Sequence, residues 1–301
     1  MKILIIGSQG FIGSHLVHHF LLKKDRITGC DLVENNSRGY NYHKISVLSP
    51  DFDTLFLNQD FDVCINASGS GNVAYSLDHP ISDFEANTIL VSKILDTIRK
   101  HRPACKYIQI SSAAVYGNPE SLPIYETALT LPLSPYGYHK WMSEIACIEY
   151  NRIFKIPIAV IRPFSVYGPG LKKQLLWDIC QKIRHHKTIQ LFGTGDETRD
   201  FIHIDDLVKG ISLIIEKSSF KCDVYNIASG TETSIREIAS IFEEHSKGYH
   251  KISFSGEVKK GDPSNWNADI SKLSKLGYSP SQVLREGVIG YINWFAKTLN
   301  E

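Results

Sequence analysis

Two polar residues that could transfer a proton lie four positions apart in the segment Tyr136-Gly137-Tyr138-His139-Lys140. Residues at i and i+4 share one face of a helix, so the Tyr136 phenol and the Lys140 ammonium are predicted to be adjacent. A tyrosine has an ordinary pKa near 10, and a nearby positive charge favours its phenolate form. Such a tyrosine can act as a general base on a hydroxyl group. The same spacing also occurs by chance on helices, so it needs support from other residues.

A serine supplies the third group of this candidate site. Ser112 follows the apolar segment Tyr107–Ser111, which is predicted to be a strand. Side chains at the carboxyl ends of parallel strands face the ligand crevice of an open α/β sheet. Ser112 could therefore hydrogen-bond the reacting oxygen, and a turn or capping role is the alternative. With Tyr136 and Lys140 as the acid–base pair, Ser112 completes a catalytic set of three.

A glycine-rich turn near the start of the chain indicates a dinucleotide site. Gly7, Gly10 and Gly13 follow the predicted strand Lys2–Ile6 and open a predicted helix. Glycines at this spacing permit a tight turn and a close approach of the backbone to a pyrophosphate. The helix N-terminus offers N–H groups and partial positive charge to the phosphates. The alternative is a glycine-rich turn that holds no ligand.

An acidic residue at the end of the next predicted strand strengthens this interpretation. Asp31 follows the glycines at about the spacing of the carboxylate that binds the ribose hydroxyls in such sites. A carboxylate there accepts hydrogen bonds from the hydroxyls and repels a 2′-phosphate. The predicted cofactor is therefore NAD rather than NADP, although Arg38 could soften that preference.

Composition and charge exclude several classes of protein. The 301 residues are 43% hydrophobic and 22% charged, which is typical of a globular chain of about two domains. The net charge of +1 gives no overall reason to bind nucleic acid or an anionic membrane. No apolar run approaches the roughly 20 residues that span a bilayer. We therefore expect neither nucleic acid nor a membrane as a partner.

The cysteines point to a reducing compartment. Six are widely spaced, with no C-x-x-C pair: Cys30, Cys64, Cys105, Cys147, Cys180 and Cys222. Free structural thiols in the cytoplasm are a better interpretation than disulfides or a zinc site. We expect no metal.

Apolar runs alternate with helical patterns, which predicts an α/β fold with a doubly wound parallel sheet and a smaller C-terminal cap. The predicted strands are Lys2–Ile6, Ile27–Leu32, Asp62–Asn66, Tyr107–Ser111 and Ile158–Arg162, and the predicted helices are Phe11–Lys24, Ser82–Lys100, Tyr136–Phe154, Leu171–His186, Asp205–Lys217, Ser234–Lys247 and Ser281–Leu299. Residues 1–165 with about 200–228 are expected to bind the dinucleotide. Residues 166–199 and 229–301 are expected to form the cap.

The motifs together resemble those of the extended short-chain dehydrogenases/reductases, in the NAD-dependent epimerase/dehydratase family of nucleotide-sugar enzymes. The resemblance runs from Ile3 to about Pro280. It implies an NAD site formed by Gly7, Gly10, Phe11, Ile12, Gly13, Asp31, Asn66, Ala67, Ser68, Asn87, Ser111, Tyr136, Lys140, Pro163 and Phe164. It implies a nucleotide-sugar site formed by Ser112, Tyr136, Ser165, Arg199 and Lys259. A surface pair between Arg199 and Asp200 is the alternative for Arg199.

Two alanines favour one reaction of the family. Dehydratases of the family usually follow the catalytic hydroxyl with an acidic pair, but here those positions are Ala113 and Ala114, which cannot transfer a proton. The resemblance therefore implies an NAD-dependent epimerase that inverts C4 of a UDP-hexose through a 4-keto intermediate. A 4-keto-sugar reductase using NAD(P)H and a non-catalytic dinucleotide-binding protein remain alternatives, although Asp31 argues against NADPH.

Two helices carry broad apolar faces, much of which must cover the sheet. They lie around Phe84–Ile98 and Trp141–Phe154. Members of the family commonly pair such helices across a two-fold axis, so the resemblance implies a homodimer.

Overall fold

The largest element of the fold is a sheet of seven parallel strands, seen in a computed structural model that describes residues 1–34, 39–46, 50–257, 261 and 263–299. The strands of the described residues are β1 Lys2–Ile6, β2 Arg26–Asp31, β3 Asn41–Lys44, β4 Val63–Asn66, β5 Lys106–Ile110, β6 Ile158–Pro163, β7 Ser165–Tyr167, β8 Thr188–Leu191, β9 Thr198–His203, β10 Lys221–Ile227, β11 Glu232–Ser234 and β12 Lys251–Phe254. The strand order of the large sheet is β3-β2-β1-β4-β5-β6-β10. This is the doubly wound order of dinucleotide-binding folds, so the predicted fold class is confirmed.

Helices cover both faces of this sheet. The helices of the described residues are α1 Phe11–Leu22, α2 Phe52–Asn58, α3 Val73–Asp78, α4 Pro80–Phe84, α5 Leu90–His101, α6 Pro135–Phe154, α7 Gln174–Ile183, α8 Ile204–Lys217, α9 Ile235–His245, α10 Ser271–Ser274 and α11 Leu284–Lys297. Helices α1 and α8 pack on one face, and α2, α5 and α6 pack on the other. Because both faces are covered, strands such as β1 are continuous apolar runs rather than alternating ones.

One predicted helix is interrupted. The sequence indicates a single helix over Ser82–Lys100, whereas the structure has α4, a π-helical turn at Glu85–Ile89, and then α5. The wider turn buries two consecutive polar residues, Asn87 and Thr88. Single π turns inside helices are frequent at functional sites.

The later part of the chain forms two small sheets around its own apolar cluster. The sheets have the orders β11-β9-β7 and β12-β8, and the cluster includes Leu176, Ile238 and Tyr291. Strand β10, in contrast, forms an edge of the large sheet beside β6. The division of the chain into a dinucleotide part and a cap stays a prediction. Among the described helices, none is long and apolar enough to cross a bilayer.

Candidate active site

The glycine-rich turn packs tightly against the end of a neighbouring strand. Gly7 has φ +83°, and a Cβ there would lie 2.7 Å from backbone atoms of Ala67 and Ser68. A Cβ on Gly13 would lie 1.9 Å from the Gly7 carbonyl oxygen. Only glycine fits either position, so the turn between β1 and α1 lies directly beside the end of β4. This is where the strand order reverses, and open α/β sheets bind ligands at that point.

The first turn of α1 suits an anion. Gly10 is the N-cap residue and has no side chain, and α1 carries no acidic residue in its first turn. The N–H groups of Phe11, Ile12 and Gly13 therefore belong to the end of the helix dipole that attracts phosphate.

Asp31 lies beside this turn at the end of β2. Its carboxylate accepts hydrogen bonds from the backbone N–H groups of Gln9, at 2.8 Å, and Leu32, at 2.7 Å. These two bonds fix the carboxylate where the sequence predicts contact with the ribose hydroxyls. Arg38 lies outside the described residues.

The three residues expected at the end of β4 have different surroundings. The Asn66 side chain is buried; it donates to Tyr107 Oη and Gln109 Oε1, both at 3.1 Å, and accepts from Ser68. Asn66 therefore anchors the strand end, whereas the partly exposed Ala67 and Ser68 line the crevice beside Gly7.

Asn87 presents an acceptor toward the same crevice. Its Nδ2 donates to Asp83 at 3.1 Å. Its Oδ1 is buried and has no hydrogen-bond partner among the described residues. A Cβ on Gly69 would lie 2.4 Å from this oxygen. A buried acceptor without a partner is costly unless a ligand supplies the donor.

The three predicted catalytic residues converge at the carboxyl end of β5. Ser112 begins a 3-10 turn, and its Oγ accepts from the Ala114 N–H at 3.1 Å. Tyr136 lies in the first turn of α6, where its backbone N–H donates to Ser76 Oγ at 3.1 Å. Lys140 donates from Nζ to the carbonyl oxygen of Ile110, the last residue of β5, at 3.0 Å.

The local sequence explains why α6 starts where it does. Ser134 caps the helix by accepting from the Gly137 N–H at 3.2 Å, and Pro135 occupies the first helical position. Gly137 is required because a Cβ there would lie 2.7 Å from the Ala114 carbonyl oxygen. The helix therefore packs directly on the 3-10 turn that carries Ser112.

Burial shifts the pKa values of Tyr136 and Lys140 in opposite directions. It raises the pKa of Tyr136 to about 12, and the hydrogen bond with Ser112 partly opposes this rise. It lowers the pKa of Lys140 to about 8; the charge of Asp83 opposes that change, and the charge of Lys173 adds to it. The chain alone therefore keeps Tyr136 protonated, and the phenolate predicted from the sequence requires a further positive charge beside it.

Ser111 lies one residue before Ser112 but faces the interior. Its Oγ donates a hydrogen bond to Glu144 Oε1 at 2.5 Å. Glu144 also forms a buried ion pair with Arg162, whose Nη2 lies 2.6 Å from Glu144 Oε2. Arg162 also donates to the Tyr116 hydroxyl at 2.9 Å. This network ties α6 to the ends of β5 and β6. Sequence reasoning missed Glu144, because nothing in its local sequence indicates an ion pair.

Pro163 and Phe164, which are expected to contact NAD, directly precede Ser165, which is expected to contact the substrate. Pro163 ends β6, and the Phe164 ring packs between Tyr116 and Trp266. Ser165 begins β7 and is partly buried.

Arg199 lies on β9 with its guanidinium carbon 5.7 Å from the centre of the Trp266 ring. It donates to the carbonyl oxygens of Thr198, at 2.8 Å, and Ser264, at 3.1 Å. Lys259 lies outside the described residues.

The alternative of a surface pair between Arg199 and Asp200 is wrong. Asp200 is completely buried and accepts hydrogen bonds from Ser229, Gly230 and Ala268. Successive side chains of a strand point to opposite faces, so Asp200 faces the interior while Arg199 lies on the other face of β9.

Two further groups near the catalytic helix were not singled out from the sequence. The Asp83 carboxylate is hydrogen-bonded to His139 Nδ1 at 2.6 Å, although the two residues are 56 positions apart in the sequence. Lys173 Nζ lies close to Gly71, because a Cβ added there would be 3.1 Å from this nitrogen. Neither contact has a signal in the local sequence, because the partners come from separate elements.

The fold and site together define a dinucleotide-dependent enzyme of the short-chain dehydrogenase/reductase type. The sequence profile of the NAD dependent epimerase/dehydratase family matches residues 3–228, and the chain belongs to that family. The predicted family, the NAD cofactor and the class of sugar-nucleotide epimerase are thereby confirmed.

Individual relatives extend over the whole chain. The chain is 30% identical to a putative UDP-glucose 4-epimerase of Methanocaldococcus jannaschii, over 97% of each protein. It is 31% identical to an uncharacterized UDP-glucose epimerase of Bacillus subtilis, over 98% of each. The crystal structure of UDP-glucuronic acid 4-epimerase from Bacillus cereus, in complex with UDP-glucuronic acid and NAD, matches with a TM-score of 0.91 and 29% identity, over 99% of this chain and 100% of that one.

The described residues fit an NAD cofactor. The Gly7–Gly13 turn gives the pyrophosphate a close approach to the backbone, Asp31 offers a carboxylate for ribose hydroxyls, and Asn87 Oδ1 offers a buried acceptor. When bound, NAD supplies a reversible hydride acceptor and a positively charged ring.

Proposed function

We propose that this protein inverts the configuration at C4 of a UDP-hexose through a 4-keto intermediate. The observation that carries the proposal is that Ser112, Tyr136 and Lys140 converge at the end of β5. The two residues that follow Ser112 in the sequence are Ala113 and Ala114. The acid–base pair can move one proton at a sugar hydroxyl, and the two methyl groups offer no second acid or base for elimination. The names of the relatives in Methanocaldococcus and Bacillus support the same reaction.

The chain's own residues have separate tasks in this reaction. Tyr136 Oη removes the proton of the C4 hydroxyl while the hydride leaves C4, and it returns the proton after the sugar has turned. Lys140 stabilises the phenolate by its charge. Ser112 donates a hydrogen bond to the C4 oxygen, which carries more negative charge as the carbonyl forms and is reduced again.

The nucleotide must stay bound while the sugar turns. We propose that Arg199 contacts the diphosphate, because a guanidinium presents several donors in a rigid fork. Lys259 is proposed as a second cation there, and Ser165 as a contact to the sugar. We propose that residues 1–165 with about 200–228 bind the cofactor, and that residues 166–199 and 229–301 bind the nucleotide sugar.

A homodimer is the proposed assembly. Tyr138, Met142, Ile145 and Ile148 form an apolar stripe along α6, and each is 39–48% exposed. Residues at this spacing share one helix face. Light scattering of the wild type should give the mass of two chains, and Ile145→Lys should give one. A monomeric wild type at micromolar concentration would contradict the proposal.

The six cysteines support a cytoplasmic location. All six are free, and five of them are buried. Free thiols in this number are typical of proteins kept in a reducing compartment.

Nuclear magnetic resonance tests the reaction directly. The purified protein with NAD should interconvert a pair of UDP-hexoses that differ only at C4, with no net change in NAD or NADH. Stoichiometric consumption of NAD(P)H with a 4-keto sugar nucleotide would indicate a reductase instead. Failure to interconvert any such pair would overturn the proposal.

A further inference from the structure

A buried carboxylate links the cofactor side of the crevice to the catalytic helix. Asp83, on α4, is completely buried. Its Oδ1 accepts from Asn87 Nδ2 at 3.1 Å, and its Oδ2 lies 2.6 Å from His139 Nδ1. One carboxylate therefore contacts both a residue expected to bind NAD and the residue immediately before Lys140.

The first of these bonds fixes the orientation of the Asn87 amide. A carboxylate only accepts hydrogen bonds, so the Asn87 NH2 group must face Asp83. The Asn87 carbonyl oxygen must then point the other way, toward Gly69, where it is buried without a partner among the described residues. Asn87 can therefore offer the crevice an acceptor and not a donor.

The second bond restrains α6. Besides the side-chain bond of His139 to Asp83, its carbonyl oxygen accepts from Thr88 Oγ1 at 2.9 Å. His139 is thus held by two residues of the segment that carries Asn87, and it lies between Tyr136 and Lys140 in the sequence. Two hydrogen bonds therefore link this segment to the catalytic helix.

We propose that Asp83 is a positioning residue that aims the Asn87 carbonyl oxygen at a hydrogen-bond donor of the bound dinucleotide while it holds the catalytic helix in place. The donor is a hydroxyl or carboxamide N–H group. The inference rests on the proposed function for the identity of the catalytic helix, but its effect on cofactor binding can be measured separately.

The negative charge of Asp83 also affects the pKa values of Tyr136 and Lys140. Burial is the largest influence on each, and Asp83 raises the pKa of Tyr136 and of Lys140. The other groups that act on this pair are Ser112, which lowers the pKa of Tyr136, and Lys173 and Glu144, which respectively lower and raise the pKa of Lys140. Removal of the negative charge should therefore lower both values.

A double-mutant cycle on cofactor affinity tests the positioning role. Equilibrium dialysis of the purified protein against labelled NAD should show a roughly 3- to 10-fold higher dissociation constant for Asp83→Ala and for Asn87→Ala. If Asp83 acts on NAD mainly through Asn87, the rise in dissociation constant of the double variant should be well below the product of the two single rises. Fully additive effects, or no effect of Asp83→Ala, would overturn the proposal.

A matched control separates positioning from general loss of stability. Asp206 is also buried, and it accepts hydrogen bonds from Ser281 and Gln282 far from Asn87. Asp206→Ala should lower the unfolding temperature and leave NAD affinity unchanged. Equal loss of NAD affinity in Asp206→Ala and Asp83→Ala would count against a specific role.

Asp83→Asn keeps the shape and removes the charge. Its carbonyl oxygen can still accept from Asn87, so NAD affinity should stay near that of the wild type, whereas the pH profile of turnover should move to lower pH. An unmoved profile would contradict the electrostatic part of the inference. A wild type that binds NAD tightly but epimerises no sugar would instead overturn the proposed function and leave this cycle valid.

Discussion

The Nζ atom of Lys140 lies 6.0 Å from the centre of the Tyr136 ring. The two residues are one helical turn apart on α6 and are almost completely buried. Burial disfavours the charged form of each, so the phenol is a weak acid and the ammonium an unusually strong one. The pair can therefore exchange a proton with a substrate only when other charges assist it.

Removal of the phenol should abolish most of the activity. Tyr136→Phe should lower kcat by about 10²- to 10⁴-fold, the usual contribution of a general acid–base group. Ser112→Ala should have a smaller effect, roughly 10- to 150-fold, because it removes one hydrogen bond to a charged oxygen. Steady-state assays measure both effects, and Tyr138→Phe on the exposed face of α6 is the control. Near-wild-type turnover in Tyr136→Phe would exclude the assigned base.

The pH at which activity falls on the alkaline side of the pH profile should depend on Lys173. Lys140 stabilises the phenolate only while it is protonated, so activity should fall as the pH rises past about 8. Lys173 lowers the pKa of Lys140, so Lys173→Met should raise that pKa and move the fall in activity to higher pH. We expect a shift of up to about one unit at low salt.

Lys172, which is exposed like Lys173, provides the control for this experiment. Lys172→Met removes the same charge from the adjacent position and should leave the pH profile in place. A shift toward lower pH in Lys173→Met, or equal shifts in the two variants, would contradict the electrostatic argument.

The buried pair of Glu144 and Arg162 should matter for stability. Arg162→Met leaves a buried carboxylate without its cation, which typically costs about 3–5 kcal/mol. The combined variant Glu144→Gln with Arg162→Met should recover part of this loss, because no charge is left unpaired. Urea unfolding measures both, and Arg236→Met, in an exposed pair with Asp196, should change little. A double variant less stable than Arg162→Met would be inconsistent with this explanation.

Two glycines of the dinucleotide turn should differ in how well they tolerate substitution by alanine. A Cβ on Gly13 would lie 1.9 Å from a backbone oxygen, whereas a Cβ on Gly10 would lie 3.2 Å from the same atom. Gly13→Ala should therefore lose NAD binding and stability together, and Gly10→Ala should retain more of both. Gly290→Ala is the control, because nothing lies within 4 Å of its added Cβ. Calorimetry with NAD would distinguish them, and equal tolerance at positions 10 and 13 would contradict the packing argument.

Local patterns predicted the parts of the site that are encoded locally. The Gly7–Gly13 turn and the i, i+4 spacing of Tyr136 and Lys140 are short-range features, and the structure has them on the expected elements. Contacts between distant segments could not be predicted in this way. Asp83 and His139 are 56 positions apart, and the π-helical turn that buries Asn87 contacts α6 through the hydrogen bond from Thr88 Oγ1 to the His139 carbonyl oxygen.

Two expectations differ from the structure, each for a physical reason. The alternation of side chains along β9 places Arg199 and Asp200 on opposite faces, so a surface pair between neighbours was a poor alternative. The sequence predicted a lowered pKa for Tyr136, whereas burial raises it, because the sequence specifies the neighbouring ammonium but not the solvent that packing removes.

The central claim is that one hydride leaves C4 of the sugar and returns to C4 on the other face, with Tyr136 moving the proton. A UDP-hexose labelled with deuterium at C4, incubated in ordinary water, tests this most directly. The account predicts that the epimer formed retains its deuterium at C4 and takes up no solvent hydrogen at any carbon. Loss of deuterium from C4 to water, or formation of a dehydrated or reduced sugar, would contradict it.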